Sequence, residues 1–488
     1  MFKNWLTISL TTIMICILGC KREENFPDIG THVSSPTDIS VDNTGEYFYV
    51  LNSDFDRTYN NGSLLVINSS GEKITAIETP RLGRSINIAG DDLIATFDKQ
   101  DDDSEFEIHL YDISNRESPA LVKRWTSADS ALELNCIPVN SVIKENYDHF
   151  AVSCSGGRLY LGTLKTPRSD TELKLVRNYF VTRRALHLDV NREVLFAFPT
   201  DIITQETEDK LADDQRTIDW ETGDETEGPN EVPDDFEATR FSRYNLPKNA
   251  RRYQYITYPI AQERDKGFPY RGLGNDVNPT TDQELHWLYF TLKNYDGTPD
   301  TDAGVTNLNQ KHYRTNFWTA ESDPFDPNAF YLSHRGKNSK NNRFANSIIK
   351  VTILNDTTQT EPKLNNSQLL NFERVYGFSG ELNPEQHFPG DFEVKLVNNR
   401  LTLLVNHFKD RASFRNSASY TVSAKTLDGT LWSQEISSSS PDSSYFQVAM
   451  NKNGKVLAGS FYGNAVIPLE VLPGADIKLG WGNSQRIE

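Results

Sequence analysis

The stretch HYRTNFWTAESDPFDPNAFYLSHRGK, residues 312–337, gathers the side chains best suited to chemistry in this chain. Arg314, Asn316, Trp318, Glu321, Asp323, His334 and Arg335 fall within one short run. Arginine together with Trp and Tyr is the composition of a binding surface, because large side chains with few rotamers anchor a partner cheaply. Arg314, Trp318, His334 and Arg335 are therefore the candidate ligand contacts. The other reading of the same residues is packing. Trp318 would then fill a core, Asp323 and Asp326 would shape turns ahead of Pro324 and Pro327, and Arg335 would sit in a structural ion pair.

Two thiols could also react. Cys136 and Cys154 lie in the apolar runs LELNCIPVNSVI and HFAVSCSGG, separated by the polar KENYD. That spacing places them on neighbouring strands, close enough for a disulfide if the register allows. The alternative is a pair of buried free thiols, a state cysteine tolerates well. Catalytic signatures are absent: there is no G-x-S-x-G, H-E-x-x-H, C-x-x-C or P-loop, and the nine His are scattered singly. TPDTDAG and DFDRTYNNG offer oxygen ligands in turns, so calcium is the cation to consider, but neither matches a calcium loop. No cofactor and no metal ligand is assigned, and the pattern favours binding over catalysis.

Such residues need strands to position them. In residues 35–80, Asp38–Val41, Tyr47–Leu51, Ser63–Ile67 and Lys73–Glu78 are short runs rich in Ile, Val, Tyr and Phe. Between them stand DNTGE, NNGS and SSGE, which is turn chemistry. Four strands in so short a span make one blade of a β-propeller. The pattern recurs, eroded, at 84–125 and 136–181, then at 185–198 with a resumption at RRYQYITYPI. Later units open at RTNFWTAESDPFDPNAFYLSHRG, DFEVKLVNNRLTLLVNHF and YFQVAMNKNGKVLAGSFYGNAVIPLEV. Residues 268–312, around ELHWLYFTL, read as a degraded blade or an insertion. The expectation is an all-β chain over 35–488 forming a single propeller of seven blades, or eight. Sandwich domains are the competing architecture, but recurrence favours a closed ring because closure removes sheet edges. Residues 201–237 interrupt the pattern with fifteen acids against Lys210 and Arg216, and read as a mobile acidic loop.

Tyr49-Val50-Leu51-Asn52, framed by Pro36 to Gly45 and by Gly62-Ser63-Leu64, resembles the strand motif of YVTN-type surface-protein propellers, as does NKNGKVLAGSFYGNAV near the end. Relatives of that kind include lactonase-type propellers and envelope lipoproteins. The resemblance implies the fold, and it implies two functions: a binding or scaffold propeller for a protein or an extracellular ligand, and alternatively a lactonase-like metal-dependent hydrolase. At the start of the chain, Lys3 is followed by an uncharged segment from Trp5 to Gly19, which reads as a secretory signal over residues 1–19. Fifteen residues with four Thr or Ser are short for a membrane span. Ile17-Leu18-Gly19-Cys20 resembles the lipobox of bacterial lipoproteins, which implies lipidation at Cys20, a linker over 20–34, and a membrane partner reached through the lipid anchor. By analogy with the enterobacterial sorting rule, in which Asp after the lipidated Cys retains a lipoprotein at the inner membrane, Lys21 implies the outer membrane of a bacterial envelope, periplasmic or surface-facing. With 50 basic and 68 acidic residues the net charge is −18, which argues against nucleic acid as a partner. Cys20→Ser should release the protein from membranes into the soluble fraction. A variant that still sediments wholly with membranes would show that Cys20 is not the anchor.

Overall fold

The computed structural model describes residues 26–98, 106–129, 132, 134, 136–155, 158–178, 184–191, 193–198, 317–335, 346–353, 387–409, 445–471 and 486–488, with the strands 216–218, 225–227, 254–259, 284–287, 370–377, 421–426, 435–437 and 477–479. Within them lie seven four-stranded antiparallel sheets, each built from strands in chain order, with a separate two-stranded ladder after the fourth sheet begins. A single short 3-10 turn, Arg168–Asp170, is the helical content of the described residues. Sheet 1 holds Pro36–Val41, Tyr47–Asn52, Gly62–Asn68 and Lys73–Thr79, close to the runs read from the sequence. The first strands of the other six are Gly83–Ala89, Pro138–Ile143, Ala185–Asp189, Phe317–Ser322, His387–Val397 and Tyr445–Met450. Each first strand packs on the first strands of both neighbouring sheets, and the last returns to the first, so they form a closed cycle. This is a β-propeller arrangement.

The turns explain the repeat. In Asp42-Asn43-Thr44-Gly45, the Asp42 carboxylate accepts from the backbone N–H groups of Gly45, Glu46 and Tyr47 at 3.0–3.1 Å. The same turn recurs in sheet 7 with Asn451, whose Oδ1 accepts from Asn453 and Lys455 N–H, each at 2.9 Å. Gly45 and Gly454 take φ of +79° and +81°, a left-handed conformation that a side chain would strain.

Second strands are buried on both faces, which is why Phe48 to Leu51 is an unbroken apolar run. The core is therefore not one mass but a wedge between each pair of sheets. Tyr49, Leu64, Phe97 and Tyr111 fill the wedge between sheets 1 and 2. Trp125, Phe150, Tyr160 and Leu173 fill the next. His187 stacks on Phe330 at 4.1 Å, and Phe198 meets Phe317 at 5.4 Å, so aromatic rings join sheets 4 and 5. Burying each such side chain is worth about 1.5–3 kcal/mol. Sheets 7 and 1 close the ring without exchanging a strand. Val466 pairs with Ile487 beside Val33, Ile39 and Phe48. Asn464 Oδ1 accepts from Ser35 N–H at 2.7 Å, and Asn451 Nδ2 donates to the Gly45 carbonyl at 2.7 Å.

Three segments singled out from the sequence take definite places. The segment ELHWLYFTL is not a blade of its own: Glu284–Trp287 is the outer strand of sheet 4, paired with Gln254–Pro259. The acidic insertion 201–237 contains a ladder, Arg216–Ile218 with Glu225–Glu227, so it is not wholly without regular structure; its other residues lie outside the described ones. Cys136 and Cys154 form no disulfide here. Both are buried free thiols, and the Cys154 thiol donates to the Cys136 carbonyl at 3.6 Å. Cys154 faces Pro138 and Cys136 stands two residues before the strand begins, yet the two thiols remain in side-chain contact.

A Cβ at Gly62 would lie 2.6 Å from the carbonyl oxygens of both Asn52 and Pro80, rigid atoms of the same sheet. Gly62→Ala should destabilise the fold by about 1–3 kcal/mol, read as a lower urea midpoint. An unchanged midpoint would contradict the strand spacing described here.

Candidate functional site

The first strands line a cavity of about 370 Å³ on the ring axis. Side chains on a strand alternate between faces, so residues two apart share the lining. In sheet 6 this brings Asp391, Glu393 and Lys395 to the axis while Phe392 and Val394 enter the wedge. Thr319 and Glu321 do the same from sheet 5, and Asp38, Asn87, Asn140 and Gln447 come from sheets 1, 2, 3 and 7. Lys144 follows the sheet 3 strand and Arg184 precedes the sheet 4 strand. Asp38, Arg184, Glu321 and Asp391 are only half-buried by exposure, yet the ring encloses them; what they retain is contact with the cavity.

These charges form two tiers. At the tier where the first strands begin, Asp38 accepts from Ile86 N–H at 2.7 Å and from its neighbour Ile39 N–H at 3.0 Å. Asp391 accepts from Val448 N–H at 3.1 Å. The Arg184 guanidinium interacts with both carboxylates and lies 3.8 Å from the centre of the Trp318 ring. In the tier below, Lys395 pairs with Glu393 at 3.1 Å, and Lys144 hydrogen-bonds Ser322. Glu321 lies in the field of Glu393, Lys395 and Lys144. Asn87 and Asn140 link neighbouring strands: Asn87 Nδ2 donates to Ser141 Oγ at 3.1 Å and Asn140 Nδ2 to the Arg184 carbonyl at 2.7 Å.

Burial sets the protonation of these groups. It raises Asp38 to about 7, against the Ile86 N–H and the Arg184 charge, which favour the carboxylate. It raises Glu321 to about 7, helped by Glu393 and opposed by the two lysines. Asp391 is pushed well above the usual range by burial and then by Asp38 and Glu393. Burial also raises Glu393 against the pull of Lys395, and lowers Lys144. Burial lowers Arg184 to about 10, while the Glu393 carboxylate holds Lys395 above its ordinary value. The chemistry available is hydrogen bonding to hydroxyl and amino groups, and proton exchange near neutral pH. Among the described residues no three His, Cys, Asp or Glu side chains are grouped to hold a metal.

Of the residues singled out by sequence, Trp318 stands on the sheet 5 first strand, where it carries Arg184. His334 pairs with Phe317 from the second strand and Arg335 pairs with Asn346 across to the third, so both stand at the Trp318 end of sheet 5. Arg314 lies outside the described residues, as does Cys20. Asp323 builds its turn: it accepts from Phe325 N–H at 2.9 Å, Asp326 N–H at 3.1 Å and Tyr331 Oη–H at 2.9 Å, and pairs with Lys350 at 3.1 Å. Asp54, in the turn considered for calcium, is likewise consumed by Thr58 N–H, Tyr59 N–H and Ser34 Oγ–H. Sequence reasoning missed Asp38, Lys144, Arg184, Asp391, Glu393 and Lys395. Their signal was charge at every second position of a first strand, as in DFEVKLV.

No family model matches the chain, and no curated protein matches it. Solved structures do. The β-propeller domain of Cps50 (Swd1) from Myceliophteria thermophila aligns with a TM-score of 0.50 at 6% identity, covering 91% of this chain and 99% of that one. The periplasmic gluconolactonase PpgL of Pseudomonas aeruginosa aligns at 0.49 and 9% identity, covering 91% and 96%. A protein from Lactobacillus plantarum aligns at 0.47 and 10%, covering 91% and 96%. At these identities the first likeness supports the fold alone, and the class that fold and ring define is the all-β propeller.

The raised carboxyls give stability a sign. Asp38 and Glu321 bind protons more tightly folded than unfolded, so stability is greatest below the ordinary carboxylate range and is lost as pH rises through about 7. Replacing Asp38 with Asn should flatten the fall in melting temperature between pH 4.5 and 8 by a few degrees relative to the parent. Parallel curves would show that Asp38 is hydrated.

Proposed function

We propose that the chain is an envelope lipoprotein, tethered through Cys20, whose seven-bladed propeller binds a small, polar extracellular ligand in its central cavity. The observation that carries this reading is the convergence of Asp38, Glu321, Asp391 and Glu393 with Lys144, Arg184 and Lys395 on one axial cavity. Burying charge costs several kcal/mol per ion unless it is well paired, and an apolar axis would serve the fold better. Burial raises Asp38 and Glu321 to about 7 and Asp391 well above the usual range, so near neutral pH these groups donate hydrogen bonds as well as accept them, which suits a neutral hydroxylated ligand. Asn87, Asn140 and Gln447 supply further donors and acceptors of the kind hydroxyl groups need.

A hydrolase of the lactonase kind is the second reading, and one observation favours it. Asp38 and Glu321 titrate at about 7, where a carboxyl group can give and take a proton at neutral pH. These carboxyls, beside Arg184, supply general acid–base chemistry for that activity.

Calorimetric titration separates the readings. The purified protein should bind glucosamine or gentiobiose without turning over glucono-δ-lactone, and Asp391→Asn should weaken binding at least tenfold, about 1.4 kcal/mol, while the protein still melts cooperatively. Lactone hydrolysis that survives chelator and is lost in Asp38→Asn would instead establish the hydrolase. Wild-type affinity in both variants would place the ligand elsewhere.

A further inference from the structure

The face of the ring opposite the cavity mouth carries an aromatic group that the channel does not use. Phe55, 52% exposed, stands in the loop between the second and third strands of sheet 1. It meets Phe461 from the corresponding loop of sheet 7 at 5.6 Å, and Phe461 meets Tyr462 edge-on at 4.9 Å, both of these rings being half-buried. The amino-terminal segment runs along the same loop. The Pro27 carbonyl accepts from Asn60 N–H at 3.1 Å, Ile29 N–H donates to Asn61 Oδ1 at 3.3 Å, and His32 stacks on Tyr59. Phe26 therefore leaves the body at Asn60, in the same loop as Phe55. Cys20 is six residues away, a reach of at most roughly 20 Å.

We propose that Phe55, Phe461 and Tyr462 rest in the headgroup region of the bilayer that holds the anchor, so that the propeller lies on the membrane with its cavity mouth outward. This rests on the Cys20 anchor of the preceding reading. Aromatic side chains favour the membrane interface, where an apolar ring and a polar tip are both accommodated. Three rings bind a bilayer weakly alone, but a tether this short holds them at an effective concentration in the millimolar range. The orientation is consistent with access to the site. The cavity reaches the turns at Asn43, Gly90, Glu145 and Lys452, which join first to second strands and so lie on the other face.

A matched pair of positions tests this. Phe325 is 59% exposed and stands in the turn between the first and second strands of sheet 5, on the cavity-mouth face. Phe55→Cys and Phe325→Cys, each labelled with a polarity-sensitive fluorophore, are reconstituted as full lipidated protein in phosphatidylethanolamine–phosphatidylglycerol vesicles. Cys136 and Cys154 are buried and take no label in the folded protein. The label at 55 should shift to the blue and lose at least threefold of its quenching by iodide, while the label at 325 behaves as in detergent. Equal quenching at both positions overturns the proposal. So does shielding at 55 that appears with native membranes but not with pure lipid, which would assign the patch to a protein partner. Mass analysis of the amino-terminal peptide reads the anchor separately: an acylated peptide with equal quenching defeats the docking alone, and an unacylated peptide defeats the anchor and the docking with it.

Discussion

Each first strand in this molecule must serve two neighbours at once. It packs against the first strands on either side, and seven such contacts return to their start. At that radius there is no room for a full apolar layer on both faces of a sheet. The bulky residues therefore move outward into the wedges, where Tyr49, Phe97, Phe150 and Phe330 are fully buried. What remains at the axis is one side of seven short strands. A side chain there meets neither a facing sheet nor open water, so hydrogen bonds and charge can collect on it.

That constraint explains why the axis holds paired rather than isolated charge. Lys395 has Glu393 at 3.1 Å, and Arg184 has two carboxylates and the face of Trp318. Backbone N–H groups left over where first strands diverge complete the shell, as Ile86 and Val448 do for Asp38 and Asp391. Even so, the carboxyls sit above their ordinary titration range, so desolvation outweighs the pairing. A group that supplied donors inside the cavity would offset that imbalance.

Much of the fold was legible because turn chemistry repeats. Asp42 through Gly45 and Asn451 through Gly454 are the same device four hundred residues apart, and each announces the strand pair around it. Legibility failed where an insertion separated partners. The outer strand of sheet 4, Glu284–Trp287, pairs with Gln254–Pro259 after a long detour, and local pattern cannot show that pairing. The site was harder. Trp318 was visible as an aromatic among polar residues, but Arg184, which stacks on it, comes from another sheet. Asp391, Glu393 and Lys395 alternate with apolar residues, and alternation of that kind reads as a solvated face. Only ring closure turns that face inward.

The two faces of the ring then divide the work by chemistry. On one, short polar turns at Asn43, Gly90 and Lys452 rim the cavity. On the other, the long loop of sheet 1 between Asn52 and Gly62 brings Phe55 against Phe461 and receives the amino-terminal segment through Asn60 and Asn61. The asymmetry follows from strand order. All first strands run the same way along the axis, so every first-to-second turn falls on one face and every second-to-third loop on the other. Residues that line the channel and residues of the loops on the opposite face are thereby kept apart by topology.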